Sequence, residues 1–121
     1  MKILIVEDSS ERINWFSEEF KEHDLMIVNN AIMGIQAVEM QFFPLIMLDH
    51  DLGQKAYCPS DEKSGYAVAV AIAEGELNLK SAVIVHSWNP QGAKRMYDVL
   101  KKARVQVHQM QYGTFSRNII K

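Results

Sequence analysis

Five short runs, apolar or nearly so, divide the chain: Ile3–Val6 (ILIV), Leu25–Val28 (LMIV), Leu45–Leu48 (LIML), Ala82–Val85 (AVIV) and Val105–Val107 (VQV). All but the last are apolar without interruption, and in ILIV and LIML this reads as a strand covered on both faces. Helical patterns lie between the runs. Ser9 or Ser10 caps a first helix, with Glu11 in its first turn and Ile13, Phe16 and Phe20 spaced three and four apart. Asn29 or Asn30 caps a second, in which Ile32, Ile35 and Val38 keep the helical period and which ends before Pro44. Ser64-Gly65 opens a third, Tyr66–Glu74, rich in alanine and valine and stopped by Gly75. Asn89-Pro90 starts a fourth, with Met96, Val99 and Leu100 as its buried stripe and Lys101, Lys102 and Arg104 near its carboxyl end.

Strand–helix alternation repeated through five strands predicts an α/β fold: a parallel, doubly wound, flavodoxin-like sheet with right-handed crossovers and strand order 2-1-3-4-5. Gln54–Lys63 reads as a polar loop, and the tail from Gln109 to Lys121 has room for no more than a shortened last helix. In this order the switch point falls between strands 1 and 3, the edge at which open α/β sheets bind ligands.

A chain of 121 residues, 48% of them hydrophobic, predicts one domain over residues 1–121 with a real core. The formal net charge of -2 argues against a bulk electrostatic nucleic-acid surface. The single cysteine, Cys58, rules out an internal disulfide and fits a reducing compartment. No apolar run is long enough for a membrane span or a signal peptide, so a soluble cytoplasmic protein is expected.

The chemistry gathers where the apolar runs stop. ILIV is followed by Glu7 and Asp8, LIML by Asp49, His50 and Asp51, and AVIV by His86 and Ser87. Acids brought to one sheet edge repel unless a cation joins them, and all-oxygen ligation suits Mg²⁺. Asp49 is then placed as a nucleophile toward a phosphoryl group, and Ser87 as a hydrogen-bond donor to a phosphoryl oxygen. Taken alone, Glu7-Asp8 also fits a solvated helix entry and Ser87 a turn serine. His50 and His86 suit acid–base work near a phosphate. Their plainer roles are an exposed loop residue and a strand-end histidine.

Glu7-Asp8 after ILIV, Asp49 after LIML and Ser87 after VIVH together resemble the receiver domain of two-component response regulators, over essentially the whole chain. The resemblance implies Asp49 as phosphoacceptor and Mg²⁺ held by Glu7, Asp8, Asp49 and the backbone carbonyl of Asp51. Ser87 would be the hydroxyl residue that follows the phosphoryl group, and Ser64-Gly65 would match the family's Asp-Gly pair. The departures are equally plain. The strand-5 lysine that contacts the phosphoryl group falls near His108–Met110, where there is none, and the proline after it is missing. Gly53 stands where proline is usual, and the stretch Trp88–Ala93 is atypical. These features resemble a divergent receiver branch for which cyclic-phosphate processing has been proposed.

The leading expectation is therefore a stand-alone receiver, more a phosphorylated signalling module than a turnover enzyme. A histidine kinase or phosphotransfer protein would serve as donor and a downstream protein as target. The helix 4–strand 5 face would be the partner or homodimer surface, with no DNA-binding domain. The alternatives are a metal-dependent enzyme acting on cyclic phosphate esters through Asp49, His50 and His86, and a module that works without phosphorylation.

Overall fold

The computed structural model describes residues 1–52, 60–75, 78–87 and 89–110. Cys58, Gly53, Trp88 and the expected last helix lie outside the described residues. The order of elements is β1 (Lys2–Val6), α1 (Ser10–Glu19), β2 (Asp24–Val28), α2 (Ala31–Met40), β3 (Leu45–Leu48), α3 (Gly65–Glu74), β4 (Ala82–Val85), α4 (Pro90–Lys102) and β5 (Gln106–Gln109). The strands form one parallel sheet in the order β2-β1-β3-β4-β5, as the alternation predicts.

Each helix starts where a short polar side chain satisfies an otherwise unpaired amide. Ser9, Asn30, Ser64 and Asn89 accept from the backbone N–H of Arg12, Met33, Tyr66 and Gly92. Asn78 closes the turn before β4 from a left-handed φ of 53°. Its side chain accepts the Phe43 amide at 2.7 Å and donates to the carbonyls of Val38 and Gln41, tying off the end of α2.

Strand alternation splits the core in two. Leu4, Val6, Ile46, Leu48, Val83 and Val85 point to the face covered by α2, α3 and α4, where Val38, Val68, Ile72, Met96 and Leu100 meet them. Ile3, Ile5, Leu45, Met47 and Ile84 point the other way, against Phe16 and Phe20 of α1. This parity, carried past the strand ends, sorts the polar residues at the carboxyl edge.

Two boundaries differ from the sequence expectation. β5 runs over Gln106–Gln109 rather than Val105–Val107, because its register is set by pairing with β4 and follows a left-handed turn at Arg104 (φ 66°). In α2 the buried face is Ala31, Gly34, Ala37 and Val38, while Ile32 is 67% exposed. AIMGIQAVEM is apolar nearly all round, so its periodicity does not single out a face. Close helix–sheet approach selects the small side chains: a Cβ at Gly34 would lie 3.0 Å from Val68 and 3.3 Å from Val6.

Gly65 joins the fold to the edge where the acids lie. Its N–H donates to the His50 carbonyl at 2.8 Å, and a Cβ there would overlap the backbone carbonyl of Asp49. Gly65→Ala is therefore expected to destabilise the fold by about 2–4 kcal/mol, since the obstacle is backbone and not a side chain that can turn aside. A urea titration measures this; a midpoint equal to wild type would show that α3 does not seat against the β3 end.

Candidate phosphate site at the sheet edge

The backbone ladder continues one residue past four of the strands. Glu7 N–H donates to Val28, Asp49 N–H to Val6, His86 N–H to Leu48 and Met110 N–H to Val85, at 2.9–3.0 Å. Glu7, Asp49, His86 and Met110 thus form one row across the carboxyl edge. By parity all four continue the Ile3–Ile5–Met47–Ile84 side, the side that faces α1.

Glu7 is the most heavily bonded member. Its Oε2 accepts from the amides of Asp8 (3.0 Å) and Ser9 (3.1 Å), and Arg12 donates through Nε to Oε1 (2.8 Å) and through Nη2 to Oε2 (3.2 Å). His86 Nε2 donates to Oε1 at 3.1 Å. Arg12 Nη2 also reaches Asp49 Oδ2 at 3.4 Å. Glu7, Asp49 and His86 are all buried, at 0%, 2% and 0% exposure. The His86 ring stands edge-on to Phe16, with centroids 4.9 Å apart.

The two carboxylates divide the electrostatic cost. Burial raises the Glu7 pKa, but hydrogen bonds from His86 and Arg12 outweigh it and hold the group down at about 2. Asp49 is pushed up to about 8, by burial first and by the Glu7 charge second, with Arg12 pulling the other way. Burial also opposes the Arg12 charge, yet Glu7, then Asp49 and Asp8, raise its pKa all the same. The cluster is thus one negative carboxylate and one guanidinium beside a carboxyl that keeps its proton near neutrality.

The other residues picked out in the sequence take distinct places. Asp8 is half-buried beside Arg12 and lies outside the Glu7–Asp49–His86 group. Ser87 has the opposite parity, and its hydroxyl accepts the Asn89 amide at 3.1 Å in the turn before α4. His50, also of opposite parity, is fully buried beneath α4 and is not an exposed loop residue. Its Nδ1 donates to Asp51 Oδ1 at 2.8 Å, and its Nε2 pairs with Ser60 Oγ at 2.7 Å. Asn89 donates to the same Asp51 oxygen at 3.1 Å, and a Cβ on Gly92 would come within 2.5 Å of the His50 ring. His50 and Asp51 therefore anchor the start of α4, while His86 stands in the acidic row. Met110 occupies the place in the row expected for lysine, and its side chain packs on the α1-side core.

Sequence reading missed Arg12. The signal was its spacing: Arg12, Phe16 and Phe20 lie four apart on one helix stripe, so the residue one turn above two buried phenylalanines points at the strand ends. Parity would likewise have selected His86 over Ser87.

A divalent cation fits this donor set. One ligand atom each from Glu7, Asp49 and His86 lie within 4.8 Å of one another, all buried, so a cation there would meet two carboxylates once the Asp49 proton is displaced.

In metal-free protein, the stability contributed by Asp49 is fully present below its ordinary pKa of 3.8 and is lost as pH rises through about 8. Asp49→Asn removes that loss. With chelator present, the variant is expected to melt higher than wild type, by a margin that grows from pH 5 to pH 8 to about 1–3 kcal/mol. Calorimetric melting at both pH values checks this, and a margin that shrinks over the interval would contradict the buried, proton-holding carboxyl.

Solved structures share this fold. The receiver domain of the sensor histidine kinase PA1611 from Pseudomonas aeruginosa PAO1, with a magnesium ion coordinated in its active-site cleft, superposes with a TM-score of 0.70. The match is 18% identical and covers 98% of this chain and 89% of that one. The Mn²⁺-bound response regulator Rcp1 gives a TM-score of 0.65 at 21% identity, over 98% of this chain and 85% of its own. A CheY-like receiver domain from Methylobacillus flagellatus gives 0.68 at 14% identity, over 100% and 92%. A comparison of the sequence with curated proteins finds no match. The family model for the cyclic-phosphate processing receiver domain matches residues 2–102. With the receiver topology, the acidic edge and this match over most of its length, the chain belongs to the cyclic-phosphate processing receiver domain family.

Proposed function

We propose that the row at the sheet edge processes a cyclic phosphate ester. One observation carries this reading: an imidazole, His86, is locked by Glu7 beside the Asp49 carboxyl, in the row where a phosphorelay receiver would rely on lysine at the Met110 position. A hydrogen-bonded imidazole–carboxylate pair moves protons, and an ammonium that would stabilise an acyl phosphate is absent from Met110. A divalent cation held by Glu7 and Asp49 would supply charge neutralisation to the phosphate oxygens. Glu7 fixes the orientation of His86. His86 delivers the proton that the departing ester oxygen needs as the ring opens. Arg12, already shared between Glu7 and Asp49, pairs with phosphate oxygens. Asp49, ionised once a cation shares the row, takes the proton that the attacking water loses as its oxygen bonds to phosphorus and the ring P–O bond breaks. His50 and Asp51 act as positioning residues by fixing the start of α4.

A second reading keeps Asp49 as a metal-dependent phosphoacceptor in two-component signalling, with a histidine kinase or phosphotransfer protein as donor. Its support is the place of Asp49, buried at the carboxyl end of the central strand next to a cationic group.

One experiment separates the two. Protein supplied with Mg²⁺ or Mn²⁺ is given 2′,3′-cyclic nucleotides and an RNA ending in a cyclic phosphate; in parallel it is given acetyl phosphate and weighed intact. The proposal expects ring-opened monoester product, reduced about 10²-fold or more in His86→Gln and in Asp49→Asn. No turnover together with a phosphoryl adduct that Asp49→Asn abolishes would install the second reading in its place. Neither product nor adduct would remove both.

A further inference from the structure

The donor atoms of the row are not those of an all-oxygen magnesium site. We propose that His86 Nε2 is itself a metal ligand beside Glu7 and Asp49, and that this mixed nitrogen–oxygen site selects Mn²⁺, Co²⁺ and Zn²⁺ over Mg²⁺. The assignment rests on the reading that the row holds a divalent cation, and it gives His86 a ligand role in place of proton delivery, since a coordinated Nε2 carries no proton.

The geometry is specific. His86 Nε2 lies 3.1 Å from Glu7 Oε1, and both belong to the buried group whose ligand atoms fall within 4.8 Å. The imidazole has little freedom to leave: it is fully buried, its backbone N–H is held by the Leu48 carbonyl, and its ring stands against Phe16. Rigid placement of this kind is what makes a side chain a ligand and not a bystander. Among the described residues, side-chain oxygen donors for Mg²⁺ beyond Glu7 and Asp49 are short. Asp8 lies outside the group, Ser87 is turned into the α4 turn, and Met110 brings a thioether to the far end of the row. Mg²⁺ prefers six hard oxygens and sheds water reluctantly, whereas imidazole nitrogen favours first-row transition ions in the Irving–Williams order. Without an ion, Arg12 supplies the positive charge, bonded to both carboxylates.

Titration calorimetry of wild type, His86→Ser and His86→Gln with Mg²⁺, Mn²⁺ and Zn²⁺ tests this; the glutamine variant keeps bulk against Phe16 should serine leave a hole. The Zn²⁺-to-Mg²⁺ affinity ratio is expected to fall about tenfold or more in both variants, with Mg²⁺ affinity changing less than about threefold. A pulsed electron-spin measurement on Mn²⁺-loaded wild type needs no variant and is expected to show modulation from one directly bound nitrogen. Ratios unchanged in folded variants, or an echo free of bound nitrogen, overturn the assignment and leave the cyclic-phosphate reading standing. Bound nitrogen without cyclic-phosphate turnover supports the assignment and overturns that reading instead.

Discussion

Two buried carboxylates side by side are the constraint that organises this molecule. Glu7 and Asp49 leave adjacent strands in the same row and on the same face, with 0% and 2% of their surface exposed. Buried like charges cost several kcal/mol unless protons, cations or hydrogen bonds compensate. Here all three are present. Two backbone amides and the His86 ring serve Glu7, Arg12 bridges both acids, and Asp49 retains its proton. A bound cation could take the place of the Asp49 proton in this balance.

The sheet imposes a second order on the residues. Because alternate side chains face opposite sides, a difference of one residue separates His86 in the acidic row from Ser87 in the α4 turn. The same alternation separates Asp49 from His50. His50, held among Asp51, Ser60 and the close approach of Gly92, fixes where α4 begins. The two histidines that flank the acids in the sequence therefore do different work on opposite faces.

With the solved receiver structures this chain shares its fold. The parallel sheet and its strand order are what they have in common. The row itself holds Glu7, Asp49, His86 and Met110, with Arg12 reaching in from α1.

The strands, the helix caps and the sheet order were legible in the sequence because each depends on local pattern: continuous apolar runs, Ser and Asn before helices, alternation of element types. The acids were legible too, as polar residues directly after buried runs. The sequence alone did not decide which of those neighbours meet. Periodicity could not choose the buried face of α2, since its residues are apolar all round and only the closeness of Val6 and Val68 selects Gly34 and the alanines. Nor did local pattern bring Arg12 to Glu7 and Asp49, because that meeting requires α1 to lie across the ends of β1 and β3. Composition and order fixed the elements and their chemistry; packing against a sheet of definite register and parity determined which charges share one site.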